Sequence, residues 1–168
     1  MLLLILITLA NAEEGSFILN MVEGDIGERP VRYASWCSPP DVIVCEGSLI
    51  DIETVTDAYQ FLSQDISSIK YGKCECKINR NQIQFGVECF DNDSSLGKTL
   101  FNFDKVDECM IGSVVQIYKP ETIVIVHEAG HSAGWMHSSV IGHLMFPMYR
   151  YAGWNTYGMG IQAETNFE

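Results

Sequence analysis

Positive charge is scarce in this chain: ten Lys and Arg stand against 22 Asp and Glu, a net charge of −12 over 168 residues. So acidic a protein repels a phosphate backbone, which excludes nucleic acid as a partner. Beyond solubility, the acidity points to nothing more specific. Histidine is limited to four residues and proline to five. Internal repeats and low-complexity segments are absent, which removes solenoid architectures. No Cys-x-x-Cys pair occurs among the six cysteines, so a cysteine-built zinc cluster is disfavoured. The apolar run at residues 1–10 is too short to span a bilayer, which takes about 20 residues.

That run ends in Ala10-Asn11-Ala12, a small-residue cleavage pattern. Although it has no basic flank, it reads as a secretory signal over residues 1–12, with the mature chain starting near Glu13. A core strand at the N-terminus and an uncleaved lipid-facing anchor are the competing readings. Residues 13–36 show no periodicity and are punctuated by Gly24, Gly27 and Pro30, which suggests a loosely held arm or short pro-segment. Residues 37–168 are the right length for one domain. Cys37, Cys45, Cys74, Cys76, Cys89 and Cys109 form an even set behind a signal, which implies three disulfides and a secreted, extracellular protein. Fifteen connectivities are open. Cys74 and Cys76 sit two apart on an expected strand, too far apart for a bond to each other, and Cys37 is expected to pair with a neighbour such as Cys45.

Val42-Ile43-Val44-Cys45 reads as a short strand between Pro40 and Gly47. Ile52, Val55, Tyr59 and Leu62 recur at helical spacing, giving a helix over residues 49–63. Residues 71–77 and 82–88 read as strands joined in a hairpin at Asn79-Arg80-Asn81. Two further strands are expected at residues 97–103 and 113–118. A helix then starts at Glu121 or Thr122, with Thr122 as its cap.

This last helix carries His127-Glu128-Ala129-Gly130-His131-Ser132-Ala133-Gly134-Trp135-Met136-His137, and with it three of the four histidines. Residues four apart share a helix face, so His127 and His131 can address one metal ion. Gly134 can take the left-handed conformation that ends the helix and brings His137 round as a third ligand. Three neutral imidazoles leave a tetrahedral Zn²⁺ one open position, the arrangement of a catalytic ion. Glu128 is placed to be the base for a water there.

At every fixed position this stretch matches His-Glu-x-x-His-x-x-Gly-x-x-His, and the chain thereby resembles the metzincin clan of zinc endopeptidases. Downstream, Leu144-Met145-Phe146-Pro147-Met148-Tyr149 is similar to the Met-turn segment of the matrixin family, and Gly160-Ile161-Gln162-Ala163 to the start of that family's last helix. The resemblance implies an α+β fold: a mixed twisted sheet with two long helices above a cleft, and a small lower subdomain with a C-terminal helix. It places Met145 beneath the zinc and Pro147 and Tyr149 in the wall of the specificity pocket. It implies one catalytic Zn²⁺ and brings Ca²⁺ as a further candidate, for which Asp91-Asn92-Asp93 is the best stretch, with a solvated turn as the more economical reading.

Three departures from the matrixin pattern stand out. With only His143 outside the ligand set, a second, structural zinc cannot be built in the family's usual way. Thr156 and Tyr157 replace the paired aspartates before Gly160-Ile161-Gln162. Cys37 lacks the context of an inhibitory cysteine switch. His143 itself is expected to be a solvated or hydrogen-bonded loop residue. The activity expected is that of a secreted zinc endopeptidase acting, as a monomer, on a protein or peptide in extended conformation, bound along the edge strand at residues 98–103. The alternatives are a non-catalytic secreted module of the same fold and a metallopeptidase restricted to short or cell-wall peptides. No membrane span is expected once the signal is removed.

Overall fold

The computed structural model describes residues 34–91, 95–104 and 106–161 together with Arg32, and residues 3–10 by their backbone. Six strands form one sheet in the order β1-β5-β6-β4-β2-β3, namely β1 (Leu3–Ala10), β2 (Asp41–Cys45), β3 (Ser68–Gly72), β4 (Gln82–Phe85), β5 (Ser95–Asp104) and β6 (Cys109–Ile117). β3, β2, β4 and β6 run parallel, whereas β5 is antiparallel to β6 and β1 antiparallel to β5. The expected α+β class with a mixed sheet is what forms. The apolar run Val42-Ile43-Val44-Cys45 suits a parallel strand covered on both faces, and all four residues are buried.

Two helices, α1 (Ile52–Phe61) and α2 (Thr122–Ser132), cover one face. Between them and the sheet lies the main core, which includes Val42, Val44, Val55, Phe85, Val115 and Val126. α1 is shorter than its periodicity suggested because Asp51 caps it, its carboxylate accepting from the Thr54 amide at 2.7 Å. Tyr59 presents an edge to the Phe85 ring and bonds Ser132 through its hydroxyl at 2.7 Å, tying α1 to α2. The cap expected at Thr122 is instead Glu121, which makes no side-chain bond to the helix.

The hairpin expected at Asn79-Arg80-Asn81 does not exist. β3 starts earlier than expected, and β2 lies between it and β4, parallel to both. Residues 73–81 leave the sheet because their cysteines are committed elsewhere: the bonds are Cys45–Cys74, Cys76–Cys89 and Cys37–Cys109. The expected Cys37–Cys45 pairing is therefore wrong, while Cys74 and Cys76 indeed do not join. Nearness in sequence was a poor guide, since Cys37 lies beside the start of β6 through the Ser35↔Cys109 bridge. These stapled loops cover the sheet's second face, where Val87 and Val114 are buried.

The described residues of the loop leading into β5 are held by side-chain bonds to the main chain. The Gln116 side-chain oxygen accepts from the Cys89 and Phe90 amides, both at 2.7 Å. The Tyr118 hydroxyl donates to the Phe90 and Asp91 carbonyls at 3.0 and 2.9 Å. The end of the arm is not loose either. The Trp36 indole donates to the Ser132 carbonyl at 3.0 Å and the Arg32 guanidinium to the Ala133 carbonyl at 3.2 Å. Both carbonyls belong to the last turn of α2, where a helix leaves acceptors unpaired and a cation is favourable.

The segment read as a signal is, in this structure, strand β1, registered from Leu3↔Phe103 to Leu9↔Gly97 along the outer edge of β5. Among the described residues after α2 the chain is irregular apart from one 3₁₀ turn (Tyr149–Tyr151). The expected C-terminal helix falls on residues 162–168, outside the described residues, as do Asn92 and Asp93 of the calcium candidate. No helix among the described residues is long and apolar enough to cross a membrane.

Candidate metal centre

α2 is apolar on nearly every side, and from Val124 to Ser132 each of its residues is buried. Such a helix survives only between two covering layers, and its few polar side chains must then find partners inside the protein. His127 and His131 stand one turn apart, as their spacing predicts. α2 ends in a Schellman motif: the Trp135 amide donates to the Gly130 carbonyl at 3.0 Å and the Gly134 amide to the His131 carbonyl at 2.9 Å. Gly134 sits at φ +92°, and a Cβ there would come within 2.0 Å of the Ala34 carbonyl oxygen. Only glycine meets both demands, and the reversal it permits carries His137 back toward the helix.

The three imidazoles converge. The Nε2 atoms of His127 and His131 are 3.0 Å apart, those of His131 and His137 are 3.2 Å apart, and the three ligand atoms all lie within 4.8 Å of one another. His127 Nδ1 donates to the Leu144 carbonyl and His131 Nδ1 to the Trp135 carbonyl, each at 2.7 Å. A carbonyl can only accept, so both rings carry their proton on Nδ1 and turn a bare Nε2 lone pair inward. Lone pairs aimed at one another at 3.0 Å repel, and a cation between them removes the repulsion. Nitrogens bound to Zn²⁺ at about 2.0–2.1 Å stand about 3.3 Å apart in a tetrahedron, close to the spacing found, so the donor set fits zinc. Burial lowers the pKa of all three rings, His127 to about 4, which keeps them neutral and ligand-competent.

Glu128 is fully buried beside them. Its Oε2 accepts from the Thr99 hydroxyl at 2.6 Å, while Oε1 has no partner. Burial raises its pKa to about 8 against the lowering effect of the Thr99 bond. A dication at the three imidazoles would favour its ionised form. Thr99 lies in the middle of β5 and its hydroxyl is also 3.2 Å from the Glu128 carbonyl. On the same face, Gly97 makes room for the carboxylate: a Cβ there would meet Glu128 Cγ at 2.7 Å.

Met145 is buried under α2, its sulfur lying 2.7 Å from where a Cβ of Gly130 would stand, so this position must be glycine for the sulfur to approach. The Ser138 amide donates to the Met145 carbonyl at 2.8 Å, fastening the third-ligand loop to the turn below. Tyr149 is half-buried against Leu96 and Val124, with the Lys119 ammonium 5.3 Å from its ring centre. Pro147 is half-buried two residues before it. His143 is, of the two expected possibilities, the hydrogen-bonded loop residue: it is buried within the turn and bonded through both ring nitrogens.

The structure thus brings together His127, Glu128, His131 and His137 on or just after α2 and sets Met145 below them. Sequence reasoning missed Thr99 and the Leu144 and Trp135 carbonyls. Carbonyls have no sequence signal. For Thr99 the only signal is its period-2 relation to Gly97, which a strand facing α2 makes meaningful. Among the described residues, the histidine cluster is the one grouping of His, Cys, Asp or Glu suited to a metal. The matrixin family model matches residues 75–162, just over half the chain and a span that contains every residue of this centre. No curated protein and no solved structure matches the chain.

Proposed function

Because the chain belongs to the matrixin family, we propose that it is a secreted zinc endopeptidase in which Glu128 serves as general base and then general acid. The observation that carries the proposal is the buried convergence of three Nε2 lone pairs beside a carboxylate with one oxygen unpartnered. His127, His131 and His137 would hold the ion, and zinc there would polarise the scissile carbonyl and acidify a water. Glu128 Oε1 takes the water's proton as it attacks the carbonyl carbon, and later gives that proton to the departing amine, so the carboxylate is regenerated. Thr99 holds the other oxygen, so the carboxylate does not need to find its orientation in each cycle. A non-catalytic binding module would have no use for this base.

Substrate in extended form would pair with the outer edge of β5, and one side chain would enter a pocket walled by Pro147 and Tyr149. That edge is taken by β1 in this structure. Removal of residues 1–12 as a secretory signal would free it, and the three disulfides are consistent with an oxidising compartment.

The test is cleavage of an unfolded protein by zinc-loaded chain starting at Glu13, alongside Glu128→Ala and a zinc chelator. Cutting by the unmodified chain alone is expected. Equal cutting by Glu128→Ala would sink the assignment of the base, and no cutting despite one bound zinc per chain would sink general proteolysis in favour of a restricted peptide substrate or a binding role.

A further inference from the structure

His143 is the one histidine outside the ligand set, and the mechanism above makes no use of it. Its ring is buried in the turn that precedes Met145. Nδ1 accepts the Met145 amide at 2.9 Å, and Nε2 lies 3.0 Å from the Tyr157 carbonyl, to which it can only donate. One neutral tautomer, protonated on Nε2, satisfies both bonds. It is the reverse of the tautomer that His127 and His131 adopt.

The Met145 amide is one half of a peptide unit whose other half is the Leu144 carbonyl. That carbonyl accepts from His127 Nδ1 at 2.7 Å. A planar trans peptide points its N–H and C=O in opposite directions, so a group that fixes one end fixes the other. The series therefore runs from His143 Nδ1 across the Leu144–Met145 peptide to the ring of the first ligand, while the Tyr157 carbonyl fixes the tautomer of the His143 ring. Each bond in such a series polarises the next, which makes the Leu144 carbonyl a better acceptor and His127 Nε2 a better donor to a metal. The surrounding backbone keeps the peptide from turning: the Leu144 amide donates to the Asn155 carbonyl at 2.8 Å and the Phe146 amide to the His143 carbonyl at 3.0 Å.

We propose that His143 is a positioning residue for the metal centre, acting on His127 through the Leu144–Met145 peptide. The inference rests on the reading of the three histidines as zinc ligands, and it goes beyond that reading by assigning a role to a residue that touches neither metal nor substrate.

The test compares His143→Ala, which removes both ring bonds, with His143→Asn. An Asn oxygen can accept the amide two residues on, so the second variant keeps the Met145 bond and loses the tie to Tyr157. Zinc affinity is read by competition with a chromophoric chelator, and ligand geometry by the visible spectrum of the cobalt-substituted protein. His143→Ala is expected to weaken zinc by about 10- to 100-fold and to shift the cobalt bands, with His143→Asn within about threefold of the unmodified chain. Unmodified affinity and spectrum in His143→Ala would overturn the proposal. So would a His143→Asn variant as impaired as His143→Ala, because the Tyr157 tie, a structural bond, would then be what matters. Should the alanine variant not fold, a His143→Asn variant that binds zinc at least about 10-fold more weakly than the unmodified chain overturns the proposal. Nitrogen-15 NMR of the unmodified metal-free chain gives an independent reading, in which a His143 ring protonated on Nδ1 overturns the proposal. If the unmodified chain binds no zinc at all, it is the ligand assignment that fails, a result distinct from any of these.

Discussion

Thr99→Val replaces a buried hydroxyl with a methyl of nearly the same size, so its effect reports on the hydroxyl's bonds to Glu128, chiefly that from Thr99 Oγ1 to Oε2 at 2.6 Å and with it the longer one to the Glu128 carbonyl at 3.2 Å. The residue is fully buried, so water cannot take the hydroxyl's place. A hydrogen bond to a charged group contributes about 1.5–3 kcal/mol, and losing it where the carboxylate must be held for proton transfer lowers kcat by about 10- to 150-fold. KM should stay within about twofold, because a substrate bound as proposed would pair with the main chain of β5, which the substitution leaves intact. The bond also lowers the pKa of Glu128, so its loss raises that pKa and moves the acid limb of the pH–rate profile to higher pH. Thr99→Ser should recover most of the rate. Steady-state kinetics of the three proteins from pH 5 to 9, with zinc content measured in each, makes the comparison. An unchanged kcat and acid limb in Thr99→Val, at full zinc occupancy, would refute the claim that this hydroxyl orients the base.

Other perturbations have equally definite outcomes. Gly134→Ala forces a side chain into a left-handed conformation and into the Ala34 carbonyl, so urea unfolding should show a loss of at least about 2 kcal/mol, together with weakened zinc because the Trp135 carbonyl that holds His131 must move. Without metal, Glu128 has its pKa raised from 4.5 to about 8, so the folded chain holds a proton that the unfolded chain releases above pH 4.5. The stability this contributes is full below pH 4.5 and is lost as pH rises through 8, by up to about 5 kcal/mol. Unfolding curves of the metal-free chain and Glu128→Gln should therefore diverge across that window, with the Gln variant the less sensitive to pH. Chain that retains residues 1–12 should cleave more slowly than chain starting at Glu13, since β1 holds the β5 edge along which the substrate is proposed to bind; equal rates would show that the two do not compete.

The centre was legible where side chains recur with a fixed spacing. His127, His131, Gly134 and His137 are placed by helix periodicity and by the conformational freedom of one glycine, both local properties of the chain. The strand at Val42-Ile43-Val44 was legible for the same reason. What could not be read depended on contacts between distant segments. The pairing of Cys37 with Cys109 joins residues 72 apart, and the run 71–77 leaves the sheet after Gly72 because its two cysteines are bonded to Cys45 and Cys89, partners that no local pattern identifies. Thr99 acts on a residue 29 positions away and looks, in sequence, like any β-branched strand residue. His143 was legible as a loop residue but not by its partners, a main-chain amide and a main-chain carbonyl, which no pattern of side chains announces.

Everything proposed for the activity depends on three imidazoles holding one zinc ion with a position left open. X-ray absorption at the zinc edge of the loaded chain tests that most directly. The account predicts three imidazole nitrogens and one further light atom, all at about 2.0–2.1 Å, with no sulfur in the first shell. A sulfur ligand near about 2.3 Å, or a shell with only two imidazoles, would contradict it.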